Sequence, residues 1–327
     1  MSEIFSALPG IMVPVGGIAK GFAQMWTDTE AQGGHAPAMD DARATQANFV
    51  IMLGFGTTAE DALKQFQTAL RFSQRSPSRV VILCPQRDGD GPAEMRAKIY
   101  GECFLGKSKA DKRCVEFVIL SYPHALREHL ENQVSLCLSG DLPLYYWVHR
   151  FTSAARIANY RYLLERASRV LFDSANAPAD ALTFAWPRPE ILRDLAFARL
   201  LPARQTIGQF LSRYPEATLV TGLETVTLTH APALAAESRV LLAWLMERLG
   251  QCGENLAAGT LAPLLPGTAG SFALNFGYAD KKFFRWTADF ATGHARFEAD
   301  LGNGRTTLPA PAGLLSPESA LSETMFF

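Results

Sequence analysis

The sequence predicts an α/β protein: a mixed β-sheet with helices on both faces in a first domain, followed by a smaller α+β domain built on an antiparallel meander. Three observations carry this. Two continuous apolar runs, 48–55 and 79–84, enclose an amphipathic helical stretch, the pattern of a βαβ unit with a parallel pair. Two further strand-like runs, 97–105 and 114–122, are separated by the polar segment 106–112, which suits an antiparallel hairpin. Near the other end, 272–276, 283–290 and 295–301 follow one another with strand character and short connections. A chain of 327 residues exceeds one ordinary core. The expected domains are residues 1–182 and 183–327.

Taken in order, residues 18–26 suit a short helix, and 28–41, with Gly33, Gly34 and Pro37, suit a loop. The first strand precedes Thr57, which with Glu60 makes a capping box for a helix reaching Ser73. Ala62, Leu63, Phe66, Leu70 and Phe72 supply its buried face. Ser76-Pro77 ends it before the second strand. Beyond the hairpin, 124–138 reads as a helix on Leu126, Leu130 and Val134, 142–148 as a strand, 154–167 as a helix and 169–173 as a strand. Residues 175–189 carry three prolines and read as a linker; 190–211 is helical with a break near Pro202. Residues 217–229 are β-rich, and 233–249 form an amphipathic helix ending at Gly250.

Composition narrows the function. The chain is 48% hydrophobic and 19% charged, with a net charge of −1 from 31 basic and 32 acidic residues. It therefore lacks a whole-chain attraction for nucleic acid or anionic membrane. No apolar segment approaches the roughly 18 residues a membrane helix needs, and Glu3 and two prolines spoil the apolar amino terminus as a signal peptide. A cytoplasmic protein is expected. Its five cysteines form no metal-binding spacing and read as reduced, buried thiols, although Cys103 and Cys114 flank the hairpin turn closely enough to allow a thiol switch.

No catalytic or cofactor motif is complete. Gly54-Phe-Gly56 lies between a strand and a helix but lacks the third glycine of a dinucleotide fingerprint, and no acidic residue closes the next strand. A plain β-to-α turn with a Thr cap fits better. The six histidines are scattered, with only His149 near other candidate groups. No catalytic residue, cofactor site or metal site is expected. The stretch 141–204 differs in kind. Asp141, Pro143 and Trp147 lie on one strand with Arg150 just beyond it; Tyr145 shares a face with Trp147, and Tyr146 takes the other. Asp173 and Ser174 end a second strand, and Asp194, Arg199 and Arg204 sit in the helical stretch after the linker. Aromatic and Arg residues of this kind mark either a partner interface or a domain junction.

Three of these segments resemble the glucose-6-phosphate dehydrogenase assembly protein OpcA family. Asp141-Leu-Pro-Leu-Tyr-Tyr-Trp147 is similar to its D-L-P strand ending in Trp. Arg169-Val-Leu-Phe-Asp-Ser174 is similar to its R-hydrophobic-D-S strand, and Asp194-Leu-Ala-Phe-Ala-Arg-Leu-Leu-Pro-Ala-Arg204 to its D-L-x-W-x-R-L-x-P-W-R helix. The sequence departs from the pattern at Phe197 and Ala203, where that family has tryptophans, and at 148–150; the tail after Leu314 does not align. The resemblance implies a non-catalytic accessory protein that binds glucose-6-phosphate dehydrogenase and promotes its active oligomer in the oxidative pentose phosphate pathway. A sugar-phosphate- or nucleotide-binding enzyme or sensor is the alternative, resting on Gly54-Phe-Gly56 and on Arg150, Arg199 and Arg204 as phosphate forks.

Overall fold

The computed structural model describes residues 3–37, 45–87, 89, 93–105, 112–253, 264–266 and 271–327. The chain forms two compact units, Met1–Asp194 with Leu321–Phe327, and Leu195–Ala320.

The strands of the first unit are β1 (Ile11–Val13), β2 (Ala47–Leu53), β3 (Ser78–Gln86), β4 (Arg96–Leu105), β5 (Lys112–Pro123), β6 (Leu144–His149), β7 (Ala167–Phe172) and β8 (Leu192–Asp194). They make one sheet in the order β1-β4-β5-β3-β2-β6-β7-β8. The run from β5 to β8 is parallel throughout, whereas β4 is antiparallel to β5 and β1 to β4. Every residue of β2 is buried, as a central parallel strand covered on both sides requires.

Helices cover both faces. On one side α3 (Ala59–Arg75) sets Phe72 5.6 Å from Phe49 and Phe66 4.8 Å from Phe117. On the other, Phe22 and Trp26 of α2 (Ile18–Ala31) and Leu130 and Val134 of α4 (Arg127–Cys137) join Val50, Met52, Val81 and Leu83 in one core. The one-residue alternation between the two cores is the period-2 geometry of a strand. A short helix, α1 (Glu3–Ala7), lies against α3.

The second unit holds a six-stranded sheet. Its strands are β9 (Leu223–His230), β10 (Leu264–Pro266), β11 (Ser271–Tyr278), β12 (Phe283–Asp289), β13 (His294–Asp300) and β14 (Thr306–Pro311), in the order β10-β9-β11-β12-β13-β14. Only the β10–β9 pair is parallel. Burial alternates strictly along β11, so Phe272, Leu274 and Phe276 face inward with Phe284, Trp286 and Phe297. Against them pack α8 (Leu201–Leu211) and α10 (Ala235–Gln251), with Phe210 stacked on Phe297 at 4.5 Å. The mixed α/β architecture expected from sequence is thus the one observed, including the meander.

Several elements differ from expectation for identifiable reasons. The N-cap of α3 is Thr58, whose hydroxyl accepts the Asp61 N–H at 3.2 Å; Thr57 is instead taken into a turn back to Gly54 O. The expected helix 154–167 is two short helices, α5 (Ala154–Ile157) and α6 (Arg161–Arg166). It breaks around Tyr160, whose hydroxyl is held 2.9 Å from that of Tyr122. Leu192–Asp194 is an edge strand beside β7 rather than helix. Pro202 does not kink a helix but lies in the first turn of α8, where its missing N–H costs nothing. A separate helix, α7 (Leu195–Arg199), precedes it. Residues 216–220 form helix α9 (Glu216–Val220), not strand. The expected loop 28–41 is helical to Ala31, and its end, like most of the hairpin turn, lies outside the described residues.

Cys103 and Cys114 are joined in a disulfide, which corrects the reading of all five cysteines as reduced thiols. The antiparallel register of β4 and β5 sets the two directly opposite, with Cα atoms 4.0 Å apart. Cys84, Cys137 and Cys252 are free.

Candidate functional site

The parallel strands run in the order β5-β3-β2-β6-β7-β8, so the chain builds outward from β2 to one side and then restarts at β6 on the other. The carboxyl ends of β2 and β6 therefore mark a topological switch point, the place where doubly wound sheets open a ligand crevice.

Here that crevice is closed by the protein's own backbone. Arg150 follows β6 with φ 44°, a left-handed conformation that is unusual for a side chain of this size. The bend turns its carbonyl over the β2–α3 turn, where it accepts the Gly56 N–H at 3.1 Å, while Gly54 N–H donates to His149 O at 2.8 Å. A Cβ on Gly54 would lie 2.6 Å from both Arg150 O and Phe151 Cα. Gly54 is needed for this close approach of the strand end, and a Cβ on Gly56 would lie 3.0 Å from Arg150 O. Among the described residues, a cavity there lined by Gly54, Phe55, His124, Phe151 and Tyr160 holds about 20 Å³. That is room for one water, far below the roughly 300 Å³ at which ligand pockets begin.

The side chains beside the turn lock it. Asp61 Oδ2 lies 2.6 Å from His149 Nε2 and 2.7 Å from Arg150 Nε, and Asp61 Oδ1 accepts from Gln65 at 2.9 Å. Burial alone would raise the Asp61 pKa. The hydrogen bond and charge of His149, with Gln65 and Arg150, outweigh it and hold the carboxyl well below the usual range. Chemically this is a satisfied carboxylate clamped between two donors. Sequence reasoning missed Asp61 and Gln65; the acidic first turn of α3 was their only signal.

Of the site residues expected from sequence, Trp147 is buried and stacked on Phe49 at 6.2 Å. Tyr145 shares its face and meets Phe326 of α11 (Pro317–Phe326) at 5.7 Å, while Tyr146 joins the opposite core. Asp141 and Pro143 are exposed at the other, amino-terminal end of β6, away from Arg150. Asp173, Ser174 and Asp194 do come together, where β7 and β8 end. Asp194 Oδ1 accepts the Ser174 N–H at 3.1 Å, and Asp173 Oδ1 accepts the Ala175 N–H at 3.0 Å. These carboxylates cap turns, as short acidic side chains do.

Arg199 and Arg204 belong to the second unit. Arg199 binds Glu237 Oε1 through Nε at 3.0 Å and Nη2 at 2.6 Å, and the acid's side chain is only 5% exposed. Glu237 was legible only as an acid among apolar neighbours on α10. Arg204 lies over the Phe197 ring at 3.6 Å and within 6.0 Å of Trp244, a half-buried cation–π stack. Among the described residues no group of three or more His, Cys, Asp or Glu could hold a metal, and no helix is long and apolar enough to cross a membrane.

The fold and this edge define a doubly wound α/β domain with a closed switch point, followed by an α+β domain with a mostly antiparallel sheet. Residues 69–185 match the family model described as the glucose-6-phosphate dehydrogenase subunit N-terminal domain, so the resemblance to the assembly-protein family holds over that stretch. No curated protein matches the chain. Among solved structures, glucose-6-phosphate 1-dehydrogenase from Mycobacterium avium is similar, at 12% identity over 86% of each chain with a TM-score of 0.51, a shared fold. The 3-ketoreductase KijD10 from Actinomadura kijaniata is 11% identical over 86% of this chain and 89% of its own, with a TM-score of 0.42.

Proposed function

We propose that this chain is a non-catalytic assembly factor and allosteric activator of glucose-6-phosphate dehydrogenase, promoting its active oligomer in the oxidative pentose phosphate pathway. The observation that carries this reading is the match of residues 69–185 to a domain of a glucose-6-phosphate dehydrogenase subunit. The closed switch point supports the non-catalytic part, because the crevice where such a fold would hold a nucleotide retains about 20 Å³. A protein that binds the active assembly better than its parts shifts the equilibrium by that difference in affinity, with no catalytic residue required. Exposed Asp141 and Pro143, the Arg150 bend and the Phe197–Arg204–Trp244 stack are the candidate contact points.

The test is sedimentation of glucose-6-phosphate dehydrogenase alone and with an equimolar amount of this chain. A heavier dehydrogenase species containing or induced by the chain is expected. An unchanged sedimentation profile, with the two proteins migrating independently, would reject the reading. The alternative of a nucleotide or sugar-phosphate binder predicts a rise in melting temperature with one of those ligands, about 2.7 kcal/mol of stabilisation at 100 times the dissociation constant. A flat panel is expected.

A further inference from the structure

At the opposite end of the first sheet from Arg150, a cleft of about 440 Å³ opens between α2 and α4 over the first residues of β3. Its volume is that of a small-molecule site. The walls are mostly apolar: Phe22 with Ala19 and Ala23, one turn apart on α2, face Leu136 on α4, which is 81% exposed at the rim, and Gln133 is the polar exception. Leu136 has no core to join, and the two alanines leave the space between the helices unfilled.

The floor carries the cation Arg79. Arg79 on β3 and Glu116 on β5 are register partners on neighbouring parallel strands and would be expected to pair. They do not, because Glu116 turns toward α2 and accepts the Trp26 indole N–H at 2.9 Å. No hydrogen bond or ion pair to the Arg79 side chain is present among the described residues. Arg79 and Cys137 both line the cleft, and burial pushes the Cys137 thiol up to about 11 against the opposing pull of the Arg79 charge. The planar fork of a guanidinium suits a carboxylate.

We propose that this cleft binds an amphipathic monocarboxylate, with its apolar body between α2 and α4 and its carboxylate on Arg79. The mostly apolar lining, with Gln133 the one polar side chain beside the Arg79–Glu116 floor among the described residues, offers a polyol few partners. Among the described lining residues Arg79 is the one cation, and with Glu116 nearby it suits one negative charge better than the two of a phosphate monoester. The site is independent of the dehydrogenase reading and stands or falls separately from it.

Calorimetric titration of the full chain with octanoate tests the proposal, with 1-octanol and butyrate as the two half-ligands. Saturable one-site binding of octanoate is expected, with each half-ligand about tenfold weaker or more. Arg79→Gln should weaken octanoate about tenfold or more, the loss of a charged hydrogen-bonded pair. Ala23→Trp, a substitution at an exposed position that fills the cleft, should abolish binding without lowering the melting temperature. It carries the test alone if Arg79→Gln fails to fold. Absent octanoate saturation, equal affinity in a folded Arg79→Gln, persistence in Ala23→Trp, or octanol binding as tightly as octanoate would each overturn the proposal.

Discussion

Asp61 is where a charge decides local structure, since its carboxylate ties α3 to the strand end that closes the crevice. Its folded pKa is depressed, so its stabilisation is present above the ordinary Asp value of about 3.9 and is lost as pH falls through the lower folded value. Asp61→Asn should therefore cost about 2 kcal/mol at neutral pH, the worth of a charged hydrogen bond. It should also flatten the decline of melting temperature below about pH 4. Equal acid sensitivity in the variant would contradict this. The arginines of the second unit should separate in the same kind of experiment. Arg199→Ala leaves Glu237 buried and unpaired, a loss of about 3–5 kcal/mol. Arg204→Ala loses a half-buried stack worth about 1–2 kcal/mol, a smaller loss than that of Arg199→Ala, and should show its main effect in dehydrogenase activation. Such residues were only partly legible in sequence. The basic partners could be named, but Glu237 and Asp61 are separated from them by 38 and 88 positions respectively, and only the fold brings them together.

The β2–α3 turn and the strand end over it behave as one element. Gly54→Ala places a methyl group against backbone that cannot rotate away, so a loss of about 3 kcal/mol in denaturant unfolding is expected. A neutral effect would mean that the crevice is open in solution. Gly54-Phe-Gly56 shows what sequence can carry: the missing third glycine pointed to a plain turn, but nothing local revealed that Arg150 would fill the space. Strands were the most legible elements, because β2, β3 and β6 are continuous apolar runs and β11 to β13 alternate. Helices broken by long-range contacts were not: the interruption at Tyr160 depends on Tyr122, 38 residues earlier. The β4–β5 pair gives a chemical check. Under denaturing, non-reducing conditions an alkylating reagent should modify only Cys84, Cys137 and Cys252; modification of all five would remove the Cys103–Cys114 bond from the account.

At the scale of the whole molecule, the carboxyl-terminal tail is the least foreseen feature. The segment after Leu314 had no alignable pattern, yet Leu321–Phe327 returns to the first unit. There Arg169 donates to Thr324 O at 2.9 Å, and Phe326 stacks on Phe72 and meets Tyr145 edge-on. Its signal was a short amphipathic run, Leu321 and Met325 at a helical spacing, too brief to separate from any other polar tail. The Arg169-led strand that resembles the family's motif is thus partly an anchor for this tail. Met325, 1% exposed, should cost about 2–4 kcal/mol when cut to Ala, measured as a fall in the unfolding midpoint of the first unit.

The central claim is that a doubly wound domain with a closed crevice acts on a dehydrogenase without catalysing a reaction itself. The most direct measurement is the initial rate of glucose-6-phosphate dehydrogenase at limiting glucose 6-phosphate, with increasing amounts of this chain and with the chain alone as control. The account predicts a saturable rise in the dehydrogenase rate and no NADPH formed by the chain by itself. An unchanged dehydrogenase rate across the titration, or NADPH production by the chain alone, would contradict it.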